Sequence, residues 1–187
     1  MNDVERYYDS NTSRFLTLGK GGNTGAIHRA IWAPDVSTRY EAMNYVNLLL
    51  ARKLSALTPD DSDDTVILDL GCGVGASMDY LRRLVTGSYV GVTISSVQAN
   101  VARERLQASS GTDETPTIPQ VVQGDFCDDT TYAAALKARS VRAAYMIEAM
   151  NHAPDVDGLF ASVARRSDSG SIISIADDIA AEDLHEI

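Results

Sequence analysis

The stretch Asp69-Leu70-Gly71-Cys72-Gly73-Val74-Gly75-Ala76 sets a carboxylate and three alternating glycines between two apolar segments. Val66, Ile67, Leu68 and Leu70 read as a buried strand, and Ala76–Val85 reads as a helix. Glycine lets the backbone turn sharply and lets a ligand approach with no Cβ in the way. The helix N-terminus that follows offers free N–H groups and positive potential to a carboxylate or a phosphate. A turn this dense in glycine, with an acid just before it, reads as a ligand cradle rather than a bare strand–helix connection. A dinucleotide would ask for Gly-x-Gly-x-x-Gly/Ala, which Gly71, Gly73 and Ala76 satisfy. It would also ask for an acid about 20 residues on to hold the ribose, where Thr93 stands instead.

The other pattern on the same residues is an acid, one residue, then Gly-x-Gly-x-Gly, the form used by loops that hold S-adenosylmethionine (SAM). Asp69, Gly71, Gly73 and Gly75 satisfy it in full. Cys72 lies inside this cofactor-binding stretch as a small packing residue with no chemistry of its own.

The elements that position the turn alternate. After Thr65 come β runs near 66–70, 89–94, 120–122, 143–148 and 171–176. Helical stretches fall between them at 76–85, 95–108, 130–138 and 155–166. Such alternation, with near-continuously apolar strands, predicts a doubly wound, mostly parallel sheet of Rossmann-like α/β class. Ligands of such sheets sit beyond the carboxyl ends of the strands, which gathers Asp69–Ala76, Thr93–Gln98, Gly124–Cys127 and Glu148–His152 into one site. Ahead of this core (59–187), residues 1–58 read as a helical lid. A helix is expected over 3–18, a glycine-rich loop over 19–36 with a short helix around Ile27–Trp32, and a long helix after Thr38. Thr38 and Glu41 have the spacing of a capping box, and Met43, Val46, Leu50, Leu54 and Leu57 recur on one helical face.

VILDLGCGVG, residues 66–75, resembles motif I of class I SAM-dependent methyltransferases. Tyr89-Val-Gly-Val-Thr-Ile-Ser-Ser-Val-Gln98 is similar to the second-strand motif of the sterol, cyclopropane-fatty-acid and geranyl-diphosphate carbon methyltransferases. In that group Thr93, Ile94 and Gln98 would replace the usual ribose-binding acid. Gln123-Gly-Asp125-Phe126 resembles its adenine segment, and Glu148-Ala-Met-Asn-His152 its fourth-strand Glu-x-x-x-His motif. Tyr7-Tyr8-Asp9, Phe15, Gly19 and Ile27-His28 look like its aromatic lid, with Tyr8 the expected cofactor contact. The resemblance implies methyl transfer from SAM, most directly to carbon of an isoprenoid or related small metabolite. Class I enzymes continue past the fifth strand with a helix and two more strands. This sequence reaches Ile187 soon after its fifth β run, so the expectation is either a piece of a longer protein or a partner segment or second copy that completes the sheet.

Methylating an alkene creates a carbocation. A carboxylate beside it stabilises the charge, and a base takes the final proton. Glu148, after the apolar run Ala143–Ile147, is read as that carboxylate, with His152 as its partner or a substrate ligand. An ion pair holding Glu148 for stability is the plainer alternative, and a loop hydrogen bond the plainer one for His152. Tyr7, His28 and Trp32 are the candidate substrate contacts, His28 and Arg29 suiting an anionic head group; packing and solvated surface are the alternatives. Oxygen or nitrogen methylation would instead make His152 the general base. A fold relative or subunit that binds SAM without catalysis is the third reading.

The formal net charge of -10 disfavours nucleic acid as partner. Two cysteines, Cys72 and Cys127, form neither a metal motif nor a disulfide framework. The N-terminus lacks the apolar core of a signal peptide and no apolar run is long enough to span a bilayer, so a cytoplasmic protein is expected. Asp60, Asp61, Asp63 and Asp64 read as exposed loop, and no metal ligands are assigned. A diphosphate acceptor would bring Mg2+, whose ligands the sequence does not place.

Overall fold

A computed structural model describes residues 3–19, 24–57, 64–110 and 117–178. The helices are α1 (Asp3–Gly19), α2 (Arg39–Ser55), α3 (Ala76–Leu81), α4 (Ser96–Ser110), α5 (Asp129–Leu136) and α6 (Val156–Ala164). The strands are β1 (Thr65–Leu70), β2 (Tyr89–Thr93), β3 (Gln120–Gln123), β4 (Ser140–Ile147) and β5 (Ser167–Ala176). All strand pairs are parallel, in the order β3-β2-β1-β4-β5. The Rossmann-like α/β expectation holds.

Side-chain alternation along the strands builds two cores. Val66, Leu68 and Leu70 of β1 face one way with Ala144 and Met146 of β4, where α5 and α6 supply Tyr132, Leu136, Leu159 and Val163. Ile67, Ala143 and Tyr145 face the other way, against Leu50 and Leu54 of α2, Met78 and Leu81 of α3, and Ala102 and Leu106 of α4. Each such aliphatic side chain contributes about 1.5–3 kcal/mol when fully buried. Both faces of the central strands are therefore closed, and strand order reverses direction between β1 and β4. The crevice at the carboxyl ends of those two strands is where this topology leaves room for a ligand.

The Thr38–Glu41 capping box forms as expected, with Thr38 Oγ1 accepting from Glu41 N and the Glu41 carboxylate accepting from Thr38 N. The short helix expected around Ile27–Trp32 is absent. The backbone there bonds elsewhere: Arg29 N donates to the Glu148 carboxylate, Ile31 N donates to Ala42 O, and the buried-stem Arg105 donates to Thr24 O and Gly25 O. Tertiary acceptors replace the helical ones, and the segment runs extended across the site. Among the described residues, no helix is long and apolar enough to cross a membrane. Asp60, Asp61, Asp63 and His185 lie outside the described residues.

One lid contact has no sequence signature. Asp9 on α1 reaches the start of α4, where Ser95 Oγ donates to its Oδ1 at 2.5 Å, Ser96 Oγ to its Oδ2 at 3.3 Å and Val97 N to its Oδ1 at 3.3 Å. The Ser95 hydroxyl chiefly, then the Val97 N–H, holds the Asp9 carboxyl below the usual carboxylate range against partial desolvation. A carboxyl whose pKa is lowered by folding adds stability above its unfolded value and loses it as pH falls through the folded one. Asp9→Ala should therefore cost about 1 kcal/mol near neutral pH, the usual scale for a lost helix cap. Urea unfolding should show the gap between variant and wild type closing below the carboxylate range; a gap that stays constant with pH would place the effect in packing alone.

Candidate functional site

The crevice at the ends of β1 and β4 holds a cavity with two walls. The first is the glycine turn and the ends of β2 and β3, contributed by Asp69, Gly71, Cys72, Gly73, Thr93, Ile94, Gln98, Asp125 and Phe126. The second is contributed by Tyr8 of α1, Ile27 and His28 of the extended segment, and Ile147, Glu148, Ala149 and His152 after β4.

The three glycines have different reasons. A Cβ on Gly71 would stand 2.5 Å from Ala149 Cβ, and one on Gly75 3.1 Å from Ala102 Cβ, so these two allow the turn to pack. Gly73, at φ +52°, has only Gln98 Oε1 near its missing Cβ, at 4.0 Å. Gly73 lines the cavity, so its missing side chain leaves that space open. Cys72 is buried, and burial pushes its thiol well above the ordinary range. It packs against Gly91 of β2, as expected of a residue without chemistry.

Asp69 lies beneath the turn, 3% exposed. Burial pushes its carboxyl up to about 7, with the Tyr145 hydroxyl pulling the other way. Tyr145 stands opposite Asp69 in the β1–β4 register, yet neither Asp69 Oδ2 nor Tyr145 Oη completes a well-aligned hydrogen bond. An unsatisfied buried acceptor next to a cradle is a place for a cationic or donor group. Thr93 Oγ1 donates to Gln98 Oε1 at 2.9 Å, both side chains being buried. With its carbonyl occupied, Gln98 has N–H donation left to offer. Asp125 Oδ1 accepts from Cys127 N at 2.8 Å, and the Phe126 carbonyl accepts from the Tyr132 hydroxyl at 2.7 Å, which fixes the loop that carries both residues.

In the second wall, the Tyr8 hydroxyl bonds His152 Nε2 at 2.9 Å. Burial first, then the neighbouring Tyr7 and the carboxylates Glu148 and Asp177, raises the Tyr8 pKa, so the phenol stays protonated. Glu148 adopts φ +49°, uncommon for a residue with a Cβ. Its N–H donates to Ala176 O, and its Oε1 accepts from Arg29 N at 2.8 Å. The turn after it, Met150–His152, is 3₁₀, and the Asp177 carboxylate accepts from Met150 N.

Of the substrate candidates, His28 lines the cavity. Tyr7 and Trp32 do not: Tyr7 packs edge-on against Tyr8 and tilted against Phe15, and Trp32 is 61% exposed. One residue of helix rotation separates Tyr7 from Tyr8, and only Tyr8 turns inward. Sequence reasoning missed Asp9, Asp177 and the Arg29 backbone. The strand-end rule, applied to β5 as it was to the other four, would have found Asp177. Asp9 stands in the lid stretch Tyr7-Tyr8-Asp9, but nothing in sequence announces its contacts with α4 or the role of a backbone N–H. Among the described residues, no three His, Cys, Asp or Glu side chains converge as a metal site.

The sequence pattern of the methyltransferase-domain family matches residues 68–175. The chain belongs to that family. It is 28% identical to methyltransferase GfsG of Streptomyces halstedii across 99% of this chain and 61% of that one. It is 31% identical to the O-methyltransferase cnsE of Penicillium expansum across 94% of this chain and 58% of the other. With 24-methylenesterol C-methyltransferase 2 of Arabidopsis thaliana it shares 34% identity over 57% of this chain and 27% of that one. The geranyl diphosphate C-methyltransferase of Streptomyces coelicolor A3(2), solved with Mg2+, geranyl-S-thiolodiphosphate and S-adenosyl-L-homocysteine, superposes with a TM-score of 0.68 at 20% identity. That superposition covers 92% of this chain and 63% of the other. The chain spans about six-tenths of the length of the curated relatives that it matches end to end. Both kinds of relative, carbon- and oxygen-methylating by name, are thus represented.

The glycine geometry makes a prediction that separates ligand binding from folding. Gly73→Val should abolish S-adenosylhomocysteine binding in calorimetry while costing about 1–2 kcal/mol of stability, the cost of a side chain in the left-handed region. Gly71→Val should lower the melting temperature more, because its side chain meets Ala149. Retained affinity in Gly73→Val would remove this turn from the cofactor site.

Proposed function

We propose that the protein transfers the methyl group of SAM to a small-molecule acceptor, at carbon of an isoprenoid or related metabolite. The observation that carries the reading is the two-walled cavity, in which a cofactor cradle faces an acceptor wall bearing Glu148. SAM supplies a methyl group activated on a sulfonium. On the first wall, the Gly71–Gly75 turn and the unsatisfied Asp69 carboxylate suit its amino acid end, Thr93, Ile94 and Gln98 its ribose, and Asp125 and Phe126 its adenine. Tyr8 and Ile27 cover the cavity and exclude water. Glu148 holds a negative charge where a cationic acceptor carbon would develop, and its fixed bond to Arg29 N keeps that charge in place before reaction.

The described cavity wall carries Asp69, Asp125 and Glu148 and no Lys or Arg. That supports an uncharged prenyl acceptor over a diphosphate. Oxygen methylation is the second reading, supported by the two imidazoles of the acceptor wall and by the relative named an O-methyltransferase. The outer edge of β5, where Ile173 and Ile175 are each 39% exposed, supports pairing with a further strand of the same protein or with a second copy. Both cysteines are free, which supports a cytoplasmic setting.

Transfer of labelled methyl from SAM to geraniol, geranyl diphosphate and phenol, with the products' new bonds read by NMR, tests the reading. Expected is S-adenosylhomocysteine binding and labelled product from geraniol; failure to bind the cofactor product overturns it. With an alkene acceptor, Glu148→Gln keeps the hydrogen bond to Arg29 N but removes the charge. Turnover should fall on the order of a hundredfold, the scale set by loss of one preorganised electrostatic group, with cofactor affinity unchanged. Normal turnover with a lower melting temperature would make Glu148 structural.

A further inference from the structure

We infer that His28 is the proton-accepting base of this site, and that Glu148 positions it through the backbone of Arg29. The inference rests on the methyl-transfer reading above and names the residue that receives the proton.

The case starts from the ring's hydrogen bonds. His28 Nδ1 lies 3.1 Å from Arg29 O. A carbonyl oxygen only accepts, so Nδ1 carries the hydrogen and donates. In the neutral ring, Nε2 is then the bare lone pair. That nitrogen is shielded from solvent and has no hydrogen-bond partner, although His28 lines the cavity. A buried acceptor without a donor is costly. A donor brought in by the acceptor molecule would complete it.

The same peptide unit ties the ring to the acid. Arg29 N donates to Glu148 Oε1 at 2.8 Å, while Arg29 O takes the His28 hydrogen. One residue's backbone thus connects a carboxylate to the nitrogen opposite the reactive one. This is the arrangement of a base oriented by a third group. His152, the other imidazole of the wall, is exposed and has its Nε2 engaged by the Tyr8 hydroxyl, whereas the unpartnered Nε2 of His28 is buried.

The proton balance closes for both acceptor types. With a hydroxyl acceptor, an oxygen lone pair forms the O–CH3 bond and the C–S pair stays on sulfur. The hydroxyl proton passes to Nε2. With an alkene, the π pair forms the C–C bond, and a neighbouring C–H pair then becomes the new double bond as its proton passes to Nε2. In either case the resulting imidazolium still donates from Nδ1 to Arg29 O.

The test has a readout that needs no acceptor. In the full chain labelled with 15N-histidine, long-range proton–nitrogen correlation, assigned with His28→Ala, should show the Nδ1–H tautomer with a bare Nε2. Glu148→Ala should mix in the other tautomer, because Arg29 is released, while Glu148→Gln should not. An Nε2–H tautomer in the wild type, or no response to Glu148→Ala, overturns the inference. With geraniol or phenol, whichever takes label, His28→Asn should lose at least a hundredfold in turnover, the lower range for a general base. It should keep S-adenosylhomocysteine affinity. Retained turnover in His28→Asn overturns the role of His28 but leaves methyl transfer standing. Loss of cofactor binding in the wild type instead removes the reading on which it rests.

Discussion

A carboxylate at the end of a strand that is closed on both faces is short of both solvent and partners. Asp69 is in that position: β1 is covered by α2, α3 and α4 on one side and by α5 and α6 on the other. Water cannot reach the carboxylate from within the sheet, and Tyr145 only partly satisfies it. The only open direction is the crevice that the strand order creates between β1 and β4. The glycine turn keeps that direction open, since the missing side chain of Gly73 would otherwise fill it. The rest of the site is arranged around this one poorly compensated group.

Closure of the site is carried by acids that accept from neutral donors. Asp9 receives two serine hydroxyls and a backbone N–H at the start of α4, Glu148 receives the Arg29 N–H, and Asp177 receives the Met150 N–H. A chain with net charge -10 thus spends several carboxylates as caps and tethers. Such bonds, between an ionised acceptor and backbone or hydroxyl donors, are directional and about twice as strong as neutral ones. They fix α1 and the segment before α2 over the crevice without adding a basic side chain to the described cavity wall. The lid is positioned, and the interior stays poor in cations.

The first wall was legible in the sequence because it is local. Asp69 to Gly75 is one turn between one strand and one helix, and Thr93 and Gln98 sit on the next strand–helix pair. Alternation in β1 and β4, and the capping box at Thr38, came from short-range rules that the core respects. In the second wall Tyr8, His28, Glu148 and His152 were legible one by one, but not the contacts that bring them together. Residues 27–32 have the composition of a helix but are drawn straight by Glu148 and Ala42, while Arg105 holds the carbonyls of Thr24 and Gly25 just before them. Tyr7 and Tyr8 are chemically identical in sequence, and only the placement of α1, fixed by Asp9, decides which one meets His152. Long-range acceptors of backbone N–H groups leave no periodicity to read.

This division bears on what likeness to other methyltransferases can carry. At 20% identity, superposition on a geranyl diphosphate enzyme transfers the sheet and the crevice, and function belongs to the site built on them. The glycine turn depends on glycine geometry and on one strand end, both local to β1 and α3. The wall opposite depends on Tyr8 and residues 24–33 meeting 147–152, segments joined by single hydrogen bonds rather than by a ladder. Small changes there would reset which group of an incoming molecule lies against Glu148, His28 or His152. Relatives named for carbon and for oxygen methylation at similar identity accord with that: the glycine turn is tied to the fold, and the wall that carries Glu148, His28 and His152 is not.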